Sequence, residues 1–205
     1  MAAAPHDPAA AADDAAGSVG TTSAAVDLSL IGTGAALLAV CSLVAVPVGP
    51  AGAPITLQTF AVLLAGAVLG ARRGALAVLL YLAVGFAGLP IFAEGAGGPA
   101  TFARVTLGYL LAFPVAAWVT GAVVERFGRR GGWRRTVVIV AAGTLGSLVV
   151  YAIGVPVLAA RIGVSLAEGL VINAAFLPFD AVKLVLAAVV ASAVHRAFPD
   201  LLSRR

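Results

Sequence analysis

Charged residues are scarce in this chain. They make up 11% of its 205 residues, against 61% hydrophobic residues and a mean hydropathy of +1.08. An ordinary soluble domain is roughly one quarter charged and about half apolar, and one core of this size cannot cover so much apolar surface. The shortage of charge excludes a typical soluble domain and predicts a protein that lies in a lipid bilayer.

Cysteine and histidine are also rare. The single cysteine, Cys41, lies in an apolar run, which excludes an internal disulfide and favours a small buried apolar residue. The two histidines, His6 and His195, have no metal-site spacing with it. The sequence therefore predicts neither a disulfide framework nor a metal centre.

Motifs of known enzyme classes are missing as well. There is no Gly-x-x-x-x-Gly-Lys-Ser/Thr phosphate loop, no nucleophile elbow and no intramembrane pair of catalytic carboxylates. The net charge of +4 does not indicate nucleic acid, because the basic residues form short clusters between long apolar runs. We predict a protein without enzymatic activity of its own.

The N-terminal segment lacks basic residues. Residues 1–26 contain neither Lys nor Arg, which excludes a secretory signal with a basic start. We predict that this alanine-rich segment is a disordered cytoplasmic tail. Residues 27–197 then form the predicted membrane domain, and residues 198–205 a basic cytoplasmic C-terminal tail.

Long apolar runs are what the sequence does contain. A helix needs about 20 residues to cross roughly 30 Å of hydrocarbon. The predicted transmembrane helices lie at residues 28–46, 55–69, 74–86, 105–124, 136–160 and 170–194, the last interrupted near Pro178. The sequence thus predicts an all-α integral membrane protein with six transmembrane helices.

Basic residues predict the orientation of these helices. With the N-terminus inside, the outer loops contain two arginines, Arg104 and Arg161, whereas the cytoplasmic segments contain ten. The ten are Arg72, Arg73, Arg126, Arg129, Arg130, Arg134, Arg135, Arg196, Arg204 and Arg205. Because positively charged loops stay in the cytoplasm, both termini are predicted to lie inside.

Two charged residues stand within the last span. A charge near mid-bilayer costs at least about 2.5–3.5 kcal/mol on insertion scales, so it needs a partner or a water-filled cavity. Asp180 and Lys183 are three residues apart and share one helical face. Lys183 lies about 20 Å along a helix from Arg196, which places the pair in the outer part of the membrane. We predict a ligand-contacting pair at an outer cavity; mutual neutralisation and helix packing are the alternative.

Further polar and aromatic residues stand near the same end of the predicted spans. An apolar pocket with a few placed polar groups is the usual form of a small-molecule site, although each aromatic alone more often belongs to the core or the interfacial belt. Arg104 can attract an anionic ligand or face lipid headgroups. The remaining candidates are Asn173, Gln58, Thr56, Tyr109, Tyr81 and Phe92.

Two stretches of the sequence carry a family resemblance. One is PITLQTFAVLLAGAVLG over residues 54–70, followed by Arg73-Gly74 and by YLAVGFAGLPIF over residues 81–92. The other is LPFDAVKL over residues 177–184. Both are similar to the BioY family of biotin transporter proteins. That family usually reads Gly-Pro-Thr-Gly-Gly-Tyr before the fourth span, where residues 104–109 read RVTLGY, so only Thr106, Gly108 and Tyr109 match.

The resemblance implies a fold, a function and partners. BioY proteins are six-helix substrate-capture subunits (S components) of energy-coupling factor (ECF) transporters in the bacterial cell membrane, and they bind biotin from outside. The implied partners are a transmembrane coupling subunit (T component) and a pair of cytoplasmic ATP-binding-cassette ATPases, which drive a tilt of the S component that releases the ligand inward. Small residues on the first helix meet the coupling subunit in such families, which assigns Ala35 and Ala39 to that interface. Asp180 and Lys183 suit either the ureido group or the carboxylate of biotin.

Two alternatives stay open at this point. One is an S component for another vitamin, such as thiamine or riboflavin. The other is a membrane scaffold protein without transport function, in which Asp180 and Lys183 form a packing pair. No cofactor is predicted, because biotin would be the transported ligand.

Overall fold

The computed structural model describes residues 8–46, 53–128, 132–199 and 201–202, with the side chains described from residue 24 onward. Within these ranges the helices are α1 (Pro8–Leu43), α2 (Gln58–Phe86), α3 (Leu107–Phe127), α4 (Trp133–Ile162), α5 (Leu166–Ala174) and α6 (Leu177–Ala197). Five of these described helices are long and apolar enough to cross a membrane, all except α5. The prediction of an all-α membrane protein is confirmed, whereas the count of six spans and the orientation stay predictions.

The first helix begins earlier than the sequence analysis predicts. It starts at Pro8, inside the segment 1–26 that we expect to be a disordered tail, and it ends at Leu43, ahead of the predicted end of the first span. Alanine has the highest helix propensity of all residues, which accounts for a helix in an alanine-rich segment. The division into tail, membrane domain and C-terminal tail stays a prediction.

The structure also contains two short strands that the sequence analysis does not predict. Strand β1 (Ala45–Val46) follows α1, strand β2 (Ile55–Thr56) precedes α2, and the two pair in antiparallel fashion. Most of the loop predicted between them lies outside the described residues. The pairing fixes Thr56 at the end of the bundle where α1 ends and α2 begins.

Helix α2 is folded back on itself at Gly70. Gln58 and Tyr81 are 23 residues apart, about 35 Å in a straight helix, yet Gln58 Nε2 donates to Tyr81 Oη at 2.6 Å. Gly70 has a left-handed φ of +83° inside the helix, a conformation that glycine adopts without a Cβ clash. The two halves of α2 therefore run antiparallel, and they correspond to the predicted spans at 55–69 and 74–86.

Close packing and one side-chain contact stabilise this turn. A Cβ on Gly66 would lie 2.3 Å from the carbonyl oxygen of Ala117, so only a glycine lets α2 and α3 approach this closely. Glu125 Oε1, near the end of α3, accepts from Ala71 N at 3.0 Å. The carboxylate thus satisfies a backbone donor at the turn, as a helix-start cap does.

The turn at Gly70 lies at the end of the bundle where α3 ends, α4 begins and α6 ends. Arg135 Nη1 donates to the His195 carbonyl oxygen at 3.2 Å, and Arg73 Nη1 donates to the Leu201 carbonyl oxygen at 3.1 Å. We call this the arginine-rich end. The described members of the predicted cytoplasmic set all stand here: Arg72, Arg73, Arg126, Arg134, Arg135 and Arg196.

The last predicted span is divided into α5 and α6. Helix α5 ends at Ala174, and α6 begins at Leu177 with Pro178 in its first turn, where a missing N–H costs nothing. Helix α5 begins with a capping box, in which the Ser165 hydroxyl accepts from Glu168 N at 3.3 Å. Hydrogen bonds from Ser165 lower the pKa of the exposed Glu168 carboxyl below its usual range. The break places the first turn of α6 inside the bundle.

Candidate ligand-binding cavity

A cavity lies at the end of the bundle opposite the arginine-rich end. A concave site with a few placed polar groups is typical of small-molecule binding. The walls come from β2, the start of α2, the α2–α3 connection, and helices α3 to α6. Eight of the nine predicted site residues line it: Asp180, Lys183, Asn173, Gln58, Thr56, Tyr109, Phe92 and Arg104.

Asp180 accepts three hydrogen bonds in the cavity wall. Lys183 Nζ donates to Oδ1 at 2.8 Å, Thr59 Oγ1 donates to Oδ1 at 3.1 Å, and Tyr151 Oη donates to Oδ2 at 2.7 Å. Asp180 is 8% exposed and Lys183 is 6% exposed, so each charge is buried and needs the other. Asp180 stands in the first turn of α6, where the helix dipole favours a carboxylate. We call these four side chains the Asp180 network.

The Asp180 network keeps hydrogen-bonding capacity for a further group. An ammonium has three N–H donors, and Lys183 uses two of them, on Asp180 and on Thr59 Oγ1 at 3.3 Å. A carboxylate offers about four acceptor positions, of which three are occupied. Because the two charges cancel, the network can both donate to and accept from an uncharged polar ligand.

A second polar pair also lines the cavity. Tyr109 Oη donates to Asn173 Oδ1 at 3.0 Å, which joins the start of α3 to α5. A Cβ on Gly154 would lie 2.4 Å from the Tyr109 ring, so this ring packs directly on the backbone of α4. The contact fixes the direction of the phenol and, through it, of Asn173.

Tyr81 is the predicted site residue that does not line the cavity. Its ring is 1% exposed, and its hydroxyl accepts from Gln58 Nε2 and donates to the Ile91 carbonyl oxygen at 3.3 Å. The contact of Tyr81 with a ligand stays a prediction. Tyr81 lies in the core behind the wall, because α2 folds back and turns it toward Gln58.

Aromatic rings hold the α2–α3 connection against the cavity. This connection contains two short 3₁₀ turns, Ala93–Gly95 and Pro99–Ala103. Phe86, at the end of α2, stacks on Phe102 with a ring-centroid distance of 4.6 Å and meets Phe92 edge-on at 5.2 Å. These contacts fix the connection on the bundle and place Phe92 in the wall.

Arg104 brings a positive charge to the cavity and is paired with Glu94. The guanidinium forms an ion pair with the Glu94 carboxylate in the same connection. Glu94 has a left-handed φ of +62°, the one described non-glycine residue with a positive φ. Both side chains are partly exposed, so the pair lies at the mouth of the cavity rather than inside it.

Sequence reasoning misses two members of the Asp180 network. Tyr151 lies in the middle of α4, where a buried hydroxyl needs a partner, and this argument could have found it. Thr59 gives no comparable signal, because a threonine in a helix can bond a carbonyl of its own preceding turn. Only the fold brings both hydroxyls to the same carboxylate.

The predicted partner interface lies on α1. Ala35 and Ala39 are half-buried and pack against the chain's own core, whereas Val40 is 62% exposed and points away from the bundle. The outward face of α1 therefore contains Val40, and the two alanines lie at its border with the core. Their contact with a partner stays a prediction.

Comparisons with known proteins show the family of this chain. The family model described as "BioY family" matches residues 14–200. The chain is 42% identical over 193 residues to a "Biotin transporter BioY" of Rhodobacter capsulatus, covering 87% of this chain and 98% of that one. It is 42% identical over 154 residues to a "Biotin transporter BioY" of Rhizobium etli, covering 74% and 82%.

A solved structure has the same fold. The crystal structure at 2.1 Å of the S-component for biotin from an ECF-type ABC transporter covers 84% of this chain and 92% of its own, with a TM-score of 0.76 and 24% identity. The apolar helices together with these relatives show a multi-pass bacterial membrane protein. From its sequence matches and its fold together, this chain belongs to the BioY family.

Proposed function

We propose that this chain is the biotin-binding S component of an ECF-type vitamin uptake transporter. It captures biotin from outside and delivers it inward together with a T component and ATP-binding-cassette ATPases. The names of its relatives support the ligand, and the fold shared with an S component supports the type of transporter. ATP hydrolysis falls to the partners, because the sequence has no phosphate loop.

The Asp180 network is the observation that carries this proposal. The ureido group of biotin is uncharged and has two N–H donors beside one carbonyl acceptor. Such a group needs an acceptor and a donor side by side. Asp180 supplies the acceptor and Lys183 the remaining N–H, on one face of α6 and in the cavity wall.

The charge at the cavity mouth supports the same ligand. Biotin carries a carboxylate at the end of an apolar chain, and a guanidinium is the side chain best suited to it. Arg104 supplies that guanidinium, apart from the Asp180 network on α6. The cavity thus combines the Asp180 network with a guanidinium at its mouth.

The position of the cavity supports capture from outside. Arginine-rich ends of membrane proteins stay in the cytoplasm, and the cavity lies at the other end of the bundle. A ligand would therefore enter from the outer side. The arginine-rich end would face the ATPases, and the outward face of α1, with the half-buried Ala35 and Ala39 at its border, would be available to the T component.

Equilibrium binding to the purified full chain in detergent tests the proposal. Isothermal titration with biotin, thiamine and riboflavin should give saturable binding for biotin alone. Binding of thiamine or riboflavin in place of biotin would support an S component for another vitamin. No binding of any of the three would contradict the capture function.

One observation favours the scaffold alternative. The described partners of Asp180 satisfy most of its hydrogen-bonding capacity, as they would in a pair that only fixes helix packing. A packing pair can be replaced by apolar or neutral side chains without loss of function. The double substitution developed in the Discussion separates the two possibilities.

A further inference from the structure

The hydroxyl of Thr101 has no protein partner. Thr101 lies in the 3₁₀ turn Pro99–Ala103, lines the cavity and is 1% exposed. Its backbone is paired, since Thr101 N donates to Gly98 O and Thr101 O accepts from Arg104 N, each at 3.1 Å. Among the described residues, none forms a hydrogen bond with Thr101 Oγ1.

A buried hydroxyl without a partner calls for an explanation. Burial removes its hydrogen bonds to bulk water, and nearly all such groups in native proteins find a replacement. The α2–α3 connection that carries Thr101 is fixed on the bundle, because Gly98 N donates to Gly85 O at 2.8 Å and the Phe102 ring stacks on Phe86. Thr101 therefore stays in the cavity wall, and neither the donor nor the acceptor positions of its hydroxyl have a partner among the described residues.

Arg104 indicates which ligand group meets this hydroxyl. Arg104 follows the 3₁₀ turn directly, its backbone N donates to the Thr101 carbonyl oxygen at 3.1 Å, and both residues line the cavity. A hydroxyl and a guanidinium in the wall of one cavity favour a carboxylate, which accepts charge-assisted hydrogen bonds from both. We propose that Thr101 is a specificity-determining residue that donates a hydrogen bond to the carboxylate of the ligand. This inference rests on the proposed function, because it takes that carboxylate to be the one of biotin.

Titration of Thr101→Val with two ligands tests the proposal. Valine keeps the shape of the side chain and removes its hydroxyl. A hydrogen bond to a charged group corresponds to about tenfold to a hundredfold in affinity, so we expect the affinity for biotin to fall by that factor. Biotin methyl ester offers only an uncharged acceptor, so Thr101→Val should weaken its binding less than it weakens the binding of biotin. The ratio of biotin affinity to ester affinity should therefore be roughly fivefold lower for Thr101→Val than for wild type. Thr101→Ser restores the hydroxyl and should recover much of the lost affinity.

Two controls separate this effect from a folding defect. Thr144→Val is the same substitution on the exposed face of α4, where Thr144 Oγ1 bonds only the Val140 carbonyl oxygen, and it should leave both affinities unchanged. The melting temperature of ligand-free Thr101→Val should stay or rise, because the change removes a buried unpaired hydroxyl. A clear fall in that temperature would mean that the hydroxyl already serves the fold, and it would overturn the proposal.

The binding outcomes also distinguish this proposal from the proposed function. Equal biotin affinities of wild type and Thr101→Val would overturn the role of Thr101 and leave biotin capture standing. Equal losses for biotin and its methyl ester would overturn the assignment to the carboxylate. A wild-type chain that binds no biotin would remove the proposed function, and the role of Thr101 with it.

Discussion

Removing the charges of the Asp180 network one at a time and together gives the sharpest test of its role. The variants are Asp180→Asn, Lys183→Met and the double substitution. Each single change leaves one buried charge without its ion-pair partner, because the residues are 8% and 6% exposed and 2.8 Å apart. The double change removes both charges and keeps side chains of similar size.

The structure sets different expectations for the stability of these variants. Breaking a buried pair by removing one partner costs about 3–5 kcal/mol, whereas replacing both partners is often neutral or stabilising. For a chain of this length, each single change should lower the melting temperature in detergent by about 6–20 °C. The double variant should melt close to wild type or above it, which shows strong coupling between Asp180 and Lys183.

Binding of biotin should follow the opposite pattern. If the pair contacts the ureido group, the double variant lacks both the acceptor and the donor. It should therefore bind biotin weakly even when it is as stable as wild type. Truncating buried charged contacts costs about 2–5 kcal/mol in binding, roughly a 30-fold to several-thousand-fold rise in Kd. Isothermal titration of wild type and double variant with biotin measures this difference directly.

An ion pair at the arginine-rich end supplies the control. Arg73 Nη2 lies 2.6 Å from Asp27 Oδ1, and the Asp27 side chain is 40% exposed. This pair does not line the cavity, so Asp27→Asn should leave the Kd for biotin unchanged. A stable Asp180→Asn/Lys183→Met variant that binds biotin as tightly as wild type would refute ligand recognition by this pair and leave a packing role.

Two further substitutions test single contacts. Tyr151→Phe removes the hydroxyl that donates to Asp180 Oδ2 at 2.7 Å, so we expect biotin affinity to fall about tenfold in the same titration; an unchanged Kd would show that the carboxylate does not need this donor. Gly70→Ala introduces a Cβ at φ +83° and 2.1 Å from Glu125 Oε1, so the free energy of unfolding should fall by about 1–3 kcal/mol, read as a lower melting temperature. Gly32→Ala is the matched control, because a Cβ there meets nothing within 4 Å and alanine is favoured over glycine inside a helix. An equal fall in melting temperature for both variants would contradict the turn in α2.

The sequence predicts the membrane helices well because the bilayer imposes their length and composition. The interruption near Pro178 is also visible, since proline limits where a helix continues. The sequence predicts two spans where the structure has α2, because Arg72 and Arg73 are too costly to place inside the hydrocarbon. The turn residue, Gly70, is not singled out, because one glycine in a glycine-rich chain carries little information by itself. The strands β1 and β2 are too short to leave a periodic pattern.

The candidate site is predicted only in part, for a related reason. Asp180 and Lys183 are neighbours on one helix, so their spacing reveals the pair. Thr59 reaches Asp180 from 121 residues away, and Tyr151 from 29 residues away on another helix. No local sequence pattern predicts which faces of two helices pack together, so these two donors are identified only from the structure. The same limit explains Tyr81, whose polar group faces Gln58 rather than the cavity.

The three donors on Asp180 have a kinetic consequence for the proposed transporter. Ordering a side chain at the moment of binding costs about 0.5–1.5 kcal/mol, and a carboxylate that is already fixed avoids this loss. Differences in affinity reside mostly in the dissociation rate, so such a surface holds its cargo for a long residence time. In the proposed transporter, release would then draw the donors on α2, α4 and α6 away from the carboxylate. The work for that step would come from the proposed ATPase partners.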